Sequence, residues 1–122
     1  MLNEAKLNCQ AMDPFYEPEL CRLIQAGLTV LRTRGISFEG TFEYETETDD
    51  DSGMPLVVGH TCTVTDDWIR TAVLNYVKAK FPATKDPEKY MQAFTDTVNM
   101  MIGTTGYGLS AEADGGSAGA EE

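Results

Sequence analysis

The sequence is short of cations, of histidine and tryptophan, and of long apolar runs. Its 122 residues include nine lysines and arginines against twenty aspartates and glutamates, for a formal net charge of −11. A surface of that sign repels nucleic-acid phosphates, so a basic DNA- or RNA-binding face is not expected. No stretch approaches the roughly 20 apolar residues of a membrane helix, and the N-terminus lacks the pattern of a signal peptide. We therefore expect a soluble intracellular protein that contacts no membrane.

Cysteine is also scarce, and the three cysteines are far apart in the chain. Cys9, Cys21 and Cys62 form no CxxC pair and are odd in number, so neither a zinc-finger spacing nor a disulfide framework is predicted. His60 is the only histidine. A metal site, or a catalytic nucleophile paired with a general base, would have to use these residues, and their spacing in the sequence matches neither kind of site. We expect no metal, no cofactor and no enzymatic activity.

Two segments have the composition of ligand-binding loops but not their spacing. A calcium-binding EF-hand loop beginning at Asp49 would place Met54 where glycine is needed and His60 where a carboxylate is needed. The acidic run is therefore interpreted as a solvated hairpin turn. The glycine-rich run at residues 103–108 follows a predicted helix, whereas a phosphate-binding loop precedes one and carries lysine.

Two amphipathic helices joined by a short hinge are predicted between residues 65 and 101. Apolar residues recur with a helical period in both. They are Ile69, Ala72, Val73, Tyr76 and Val77 in the first helix, and Tyr90, Phe94, Val98 and Met101 in the second. Thr65 is expected to cap the first helix. The second should begin with Asp86 as its N-cap and Pro87 at its first position, and should end at Gly103.

The first third of the chain is predicted to contain two more helices. A weak candidate spans Leu2 to Ala11, and a stronger one begins at Pro18 and stops at Gly35. The apolar face of the stronger one consists of Leu20, Leu23, Ile24, Gly27, Leu28 and Leu31. Glycine inside a helix costs about 1 kcal/mol relative to alanine. We therefore expect Gly27 to mark the close approach of a neighbouring helix.

Between these helical regions the apolar period changes to two. Apolar and polar residues alternate along residues 36–64 on either side of the acidic turn, and this pattern predicts a long β-hairpin. On its returning strand one face is expected to carry Leu56, Val58, His60, Cys62 and Val64. An isolated hairpin is marginally stable in water, so this one should pack on the helices or on a partner.

The predicted fold is mainly α: a small four-helix bundle with a long β-hairpin inserted between the second and third helices. The domain spans residues 1–109. An acidic tail rich in glycine and alanine follows at residues 110–122 and contains no aromatic or branched aliphatic side chain. It buries too little apolar area to offset its ordering entropy, so we expect it to be flexible.

Some apolar side chains lie outside the predicted core faces and are candidates for contact with a partner. Leu74 lies about 140° around its helix from Ile69, well off the apolar stripe. The other candidates, on the hairpin and after the last helix, are Tyr44, Met54, Tyr107 and Leu109. The methionines allow two interpretations, an adaptable partner surface or the filling of gaps in the core.

Three segments carry a resemblance to a known family. They are residues 18–36 (PELCRLIQAGLTVLRTRGI), 65–81 (TDDWIRTAVLNYVKAKF) and 88–102 (EKYMQAFTDTVNMMI). With the order of the predicted elements, they resemble the head-to-tail connector, or adaptor, proteins of tailed bacteriophages and prophages. The resemblance covers about 85 residues, counting the hairpin. The acidic hairpin tip and the tail depart from it.

The resemblance implies a helical, non-enzymatic protein whose copies form a ring, usually dodecameric, beneath the portal protein of the capsid. Such a ring extends the DNA channel, through which DNA passes without specific binding, and docks the next neck or tail-completion protein. An acidic lining would repel DNA and let it slide. The location implied is the virion neck, after assembly in the cytoplasm of the bacterial host. The alternative is a stand-alone phage-encoded regulatory or protein-binding module, which would remain monomeric or dimeric.

Overall fold

The computed structural model describes residues 1–103, which are mainly helical with one two-stranded antiparallel hairpin. The elements are helix α1 (Leu2–Asn8), a short 3-10 helix (Pro14–Tyr16), helix α2 (Glu17–Thr33), strands β1 (Phe42–Thr48) and β2 (Pro55–Cys62), and helices α3 (Asp67–Lys80) and α4 (Pro87–Ile102). The predicted mainly helical character and the antiparallel hairpin are confirmed. The predicted tail at 110–122 lies outside the described residues, as do the candidate contacts Tyr107 and Leu109.

Helix α1 ends three residues earlier than the predicted Ala11 because the chain turns through a left-handed residue. Gln10 has a φ of 54°. The Ala11 amide donates to the Lys6 carbonyl at 2.9 Å and the Gln10 amide donates to the Leu7 carbonyl at 3.2 Å, the two hydrogen bonds of a Schellman ending. Ala11 is buried just beyond this turn. The ending therefore returns the chain to the core before α2 begins.

Two ion pairs fix α1 to the longer helices. Lys6 Nζ lies 2.6 Å from Glu17 Oε2 at the start of α2, and both side chains are largely buried. Arg70 of α3 pairs with Glu4, and its other guanidinium nitrogen donates to the Val64 carbonyl at 3.0 Å. Helix α1 is thus tied to both neighbours, although it is only 7 residues long.

Helices α2 and α3 pack closely at Gly27, as the sequence predicts. A Cβ atom on Gly27 would lie 3.2 Å from Tyr76 Cδ2 and 3.3 Å from Val73 Cγ1, closer than ordinary van der Waals contact. The absence of a side chain therefore lets α3 approach α2. The Tyr76 ring also contacts the Phe94 ring of α4, with centroids 5.3 Å apart. The core lies where these three helices meet, and Ile24, Val73 and Val98 are fully buried there.

The predicted capping residues of α3 and α4 need correction. Asp66, not Thr65, caps α3: its Oδ1 accepts hydrogen bonds from the amides of Trp68 at 2.9 Å and Ile69 at 3.2 Å. Asp86 occupies the N-cap position of α4 and Pro87 follows it as predicted, but the Asp86 side chain makes no capping hydrogen bond. Its backbone is left-handed, with φ 54° and ψ 55°, so the carboxylate does not serve as an acceptor for the first turn.

The hairpin strands are shorter than predicted, and a bulge changes which side chains face the helices. Glu45 pairs with Gly59, whereas Thr46 pairs with Val57, so Val58 is the extra residue. The predicted single face from Leu56 to Val64 is therefore wrong. Val57 and Cys62 pack against the core, while Val58 is 52% exposed.

The hairpin runs back along α2 from the helix C-terminus towards its N-terminus. Arg32 Nη2 donates to the Gly40 carbonyl at 2.6 Å, and Gln25 Nε2 donates to the Phe42 carbonyl at 2.9 Å. Phe42 is buried, whereas most of the remainder of β1 is exposed. The hairpin thus packs mainly on α2, with further contacts from β2 to the 3-10 helix and to Arg70 of α3, and keeps a broad exposed face.

We expect Asp66→Ala to lower the free energy of unfolding by about 1 kcal/mol, because two amides of the first turn of α3 lose their acceptor. Thr65→Ala is the matched control and should change stability by less than about 0.5 kcal/mol. Urea unfolding of both variants measures the difference. A larger loss in Thr65→Ala would return the capping role to Thr65.

We expect Gly40→Ala to cost about 2 kcal/mol or more, because Gly40 has a φ of 107° and a Cβ there would lie 2.8 Å from backbone atoms of Thr63 and Val64. Gly59→Ala is the control, since a Cβ at Gly59 meets nothing within 4 Å. Thermal melts of the two variants test the comparison. Equal melting temperatures would contradict the close crossing of the strands at Gly40.

Candidate partner-binding site

An apolar groove opens at the N-terminal end of α2, where four segments meet. Its volume is about 340 Å³, near the lower end of the range for ligand pockets. It is lined by Phe15, Tyr16, Pro18, Glu19, Met54, Pro55, Phe81, Pro82 and Ala83. All but one of these side chains are apolar or aromatic, so the groove suits an apolar partner group.

Three aromatic rings in contact form one wall of the groove. Phe15 and Tyr16 meet edge to face with centroids 5.4 Å apart, and Tyr16 meets Phe81 in the same way at 5.6 Å. Phe81 is buried, but Phe15 is 57% exposed and Tyr16 is 39% exposed. Exposed aromatic side chains beside an apolar depression are enriched at protein–protein interfaces.

Local backbone chemistry holds these rings in place. Asp13 Oδ1 accepts a hydrogen bond from the Phe15 amide at 2.8 Å, and Pro14 occupies the first position of the 3-10 helix. Phe81 precedes Pro82, which favours extended backbone, and its ψ is 126°. Each of the two aromatic segments is therefore set by a proline at its turn.

The hairpin turn supplies the opposite wall. Asp49 Oδ2 accepts hydrogen bonds from the Ser52 amide at 3.0 Å and from the Ser52 hydroxyl at 2.8 Å. The Asp49 amide donates to the Met54 carbonyl at 2.8 Å, and Gly53 is left-handed with a φ of 71°. The Asp49 carboxylate thus closes the turn and holds Met54, which is 40% exposed, beside the groove.

Of the three predicted contact residues within residues 1–103, the structure brings one into the groove. Met54 lines it, whereas Tyr44 is half-buried beside Phe42, with ring centroids 6.2 Å apart. Leu74 is also half-buried and packs against the core. The expectation that Leu74 lies off the packed face is therefore wrong, because α3 contacts α1, α2 and α4 and is covered over a wide arc.

Sequence reasoning missed the aromatic wall of the groove. Phe15 and Tyr16 lie between two predicted helices, in a segment that carries no periodic pattern. The available signal was the position of two adjacent aromatic residues directly after Asp13-Pro14, because an Asp-Pro pair favours a turn. The contribution of Phe81 depends on the tertiary arrangement and had no local signal.

A second, polar depression lies on the other side of Ala83. It has a volume of about 320 Å³, and its lining includes Lys78, Lys85 and Tyr90. Lys78 Nζ lies 4.6 Å from the centre of the Tyr90 ring, within the range of a cation–π contact. Two lysines therefore lie beside the apolar groove, which shares Ala83 with this depression, whereas the only charged residue among the described ones that lines the groove itself is Glu19.

The cysteines and the histidine do not assemble into one site. Among residues 1–103, no group of three histidine, cysteine, aspartate or glutamate side chains is placed to hold a metal ion. His60 stacks on Phe42, whereas Cys62 accepts a hydrogen bond from Arg70 at 3.8 Å. Cys21 is fully buried in α2. The pKa of the Cys21 thiol is raised to about 12, mainly by burial and secondarily by the Glu17 carboxylate, while the N-terminal amino group acts in the opposite direction.

Negative charge is concentrated on the hairpin. Residues 36–64 contain seven acidic residues and neither lysine nor arginine. Glu43, Glu45 and Glu47 alternate along β1 with the side chains that face α2, and all three are exposed. The outward face of β1 is consequently acidic along its length, and its partners on β2 are neutral.

Comparison of the chain with protein-family models, with curated proteins and with solved structures gives no match. Within the part of the chain that the structure describes, no helix is long and apolar enough to cross a membrane.

We expect alkaline pH to destabilise the fold through Cys21. The unfolded thiol ionises near pH 8.5, whereas the folded thiol stays protonated until about pH 12. The contribution of the protonated Cys21 thiol to the free energy of unfolding is fully present below pH 8.5. Above that pH it falls by about 1.4 kcal/mol per pH unit. Urea unfolding at pH 7.5 and pH 10 should show a larger loss for the wild type than for Cys21→Val. Equal losses would contradict the prediction.

Proposed function

We propose that this chain is a non-enzymatic structural subunit of the head-to-tail connector class, assembling as a ring beneath a phage portal protein. The observation that carries the proposal is the exposed apolar groove, walled by the aromatic residues Phe15 and Tyr16 and by Met54 of the hairpin turn. Aromatic and methionine side chains are enriched where protein surfaces meet. The resemblance of the helical segments to connector proteins supplies the class.

In this proposal the four helices act as one small bundle, with the hairpin inserted between the second and third. The ring is dodecameric and extends the DNA channel. The acidic hairpin face supports that role, because a surface that repels phosphates lets DNA pass without retention. The portal protein and the next neck or tail-completion protein bind its two sides, and the subunit resides in the virion neck after assembly in the host cytoplasm.

The remaining predicted contacts are assigned to surfaces other than the groove. Tyr44 and Leu74 are half-buried and would be covered further in the ring. Tyr107 and Leu109 follow α4 in sequence and would reach the portal or the next neck protein together with the tail. These four residues stay predictions of this proposal.

The mass of the purified full-length chain, alone and with a portal assembly, tests the proposal. We expect ring-sized particles by mass measurement and negative-stain imaging, either alone at high concentration or on the portal. DNA added to the same sample should not be retained at physiological salt. A protein that stays monomeric or dimeric and does not bind the portal would contradict the connector class and favour a regulatory or protein-binding module.

A further inference from the structure

We propose that the groove docks a segment of a different protein in which a large apolar side chain is flanked by lysine or arginine. The groove supplies the apolar half of this recognition, since its wall exposes the rings of Phe15 and Tyr16 beside an apolar depression. Its surroundings supply the electrostatic half, since they are acidic. The inference rests on the proposed function in one respect, that the segment belongs to the portal or to the next neck protein.

Carboxylates accompany the aromatic wall, and one of them keeps an uncompensated charge. Glu19, which lines the groove, pairs with Arg22 at 2.6 Å, and Glu17 pairs with Lys6 at 2.6 Å. Asp13 has no lysine or arginine within 4 Å among residues 1–103. A partner cation at this wall would meet the Asp13 carboxylate and also the exposed aromatic ring two residues further along, with which it can form a cation–π contact.

The hairpin turn places three more carboxylates on the opposite side of the groove. Asp49, Asp50 and Asp51 precede Met54 in this turn, and the Asp49 amide donates to the Met54 carbonyl at 2.8 Å. None of the three carboxylates pairs with a cation in the described part of the chain. Charges act over about 8 Å at physiological ionic strength. A cation held over Met54 is therefore attracted by the turn.

The lysines of this region lie on another side. Lys80 Nζ lies 5.8 Å from the centre of the Tyr76 ring, and Lys78 and Lys85 line the polar depression beyond Ala83. The charge around the groove is thus asymmetric, negative at the aromatic wall and at the turn and positive only beyond Ala83. A docked segment should consequently direct its cations towards the wall and the turn.

The chain itself is a poor source of such a segment. Each copy carries a net charge of −11, so two copies repel each other on average. A basic residue stands directly next to an aromatic residue twice in the described chain, at Lys80-Phe81 and at Lys89-Tyr90. Phe81 is buried and Tyr90 is half-buried, so neither ring is available to another copy. A different, more basic protein fits the groove better.

Three capped pentapeptides test the chemistry of the occupant. They are Gly-Lys-Trp-Lys-Gly, the charge-reversed Gly-Glu-Trp-Glu-Gly, and Gly-Lys-Ala-Lys-Gly, which lacks the apolar anchor. We expect the first to bind the full-length chain and the other two to bind at least about tenfold more weakly, because each lacks one half of the recognition. Saturation-transfer NMR detects the peptide protons and serves whether the chain is a monomer or a ring. Failure of the first peptide to bind, or equal binding of the charge-reversed peptide, would overturn the inference.

Two groove variants locate the binding. Phe15→Ala shortens the aromatic wall. The double variant Asp50→Asn with Asp51→Asn removes two charges from the turn and leaves the Asp49 hydrogen bonds that close it. Each variant should weaken the binding of Gly-Lys-Trp-Lys-Gly by about fivefold or more. Unchanged binding in both would place the peptide elsewhere and overturn the inference.

Matched controls separate these local effects from general ones. Val58→Ala truncates an exposed apolar residue outside the groove. Glu39→Gln with Glu43→Gln removes the same charge at the end of the hairpin that lies away from the turn. Both controls should bind the peptide as the wild type does, and circular dichroism and thermal melts check that all variants are folded. An equal loss in the Glu39 and Glu43 double variant would reduce the effect to net charge and contradict the role of the turn.

The same samples distinguish this inference from the proposed function. Loss of rings in Phe15→Ala, where the wild type assembles, would show that a second copy occupies the groove and would overturn the assignment to a different protein. Rings that form while no peptide binds would overturn the inference and leave the connector class standing. A chain that binds Gly-Lys-Trp-Lys-Gly but neither assembles nor binds the portal would contradict the connector class and keep the groove as a docking site for a basic segment.

Discussion

The close packing of α2 against α3 at Gly27 is the constraint on which the other elements depend. Because Gly27 has no side chain, the Tyr76 ring lies against α2 and still reaches Phe94 of α4. Helix α1 is then tied by ion pairs to α2 and α3, and the hairpin packs along α2. Helix α2 thus supports both the helical core and the hairpin, and the groove lies at its N-terminal end.

Much of the fold could be predicted because its signals are local. The helical stripe around Phe94, Pro87 at the first position of its helix and Gly35 after α2 all act within one or two turns. The bulge at Val58 could not be predicted, because an extra residue in a strand leaves the alternation intact on either side and shifts only the pairing. Thr65 and Asp66 are both good capping residues, and only the backbone geometry distinguishes them.

The candidate site was largely inaccessible to sequence reasoning for a different reason. Met54 was identified as an apolar residue in an acidic turn, but the groove exists only because that turn reaches the 3-10 helix that carries Phe15. The distance between these segments is set by the length of the hairpin and by its path along α2. Leu74 shows the converse error: its angular position was correct, but three neighbouring helices, not one, surround α3.

The hairpin turn that carries Met54 links the shape of the groove to a largely exposed strand. Few side chains of β1 are buried beyond Phe42, so this part should open at a lower free energy than the helices. The seven acidic residues of residues 36–64 repel one another, and dissolved salt screens that repulsion. The groove would therefore be a variable surface, one that is complete in concentrated salt and loses a wall in dilute buffer while the helical core stays unchanged.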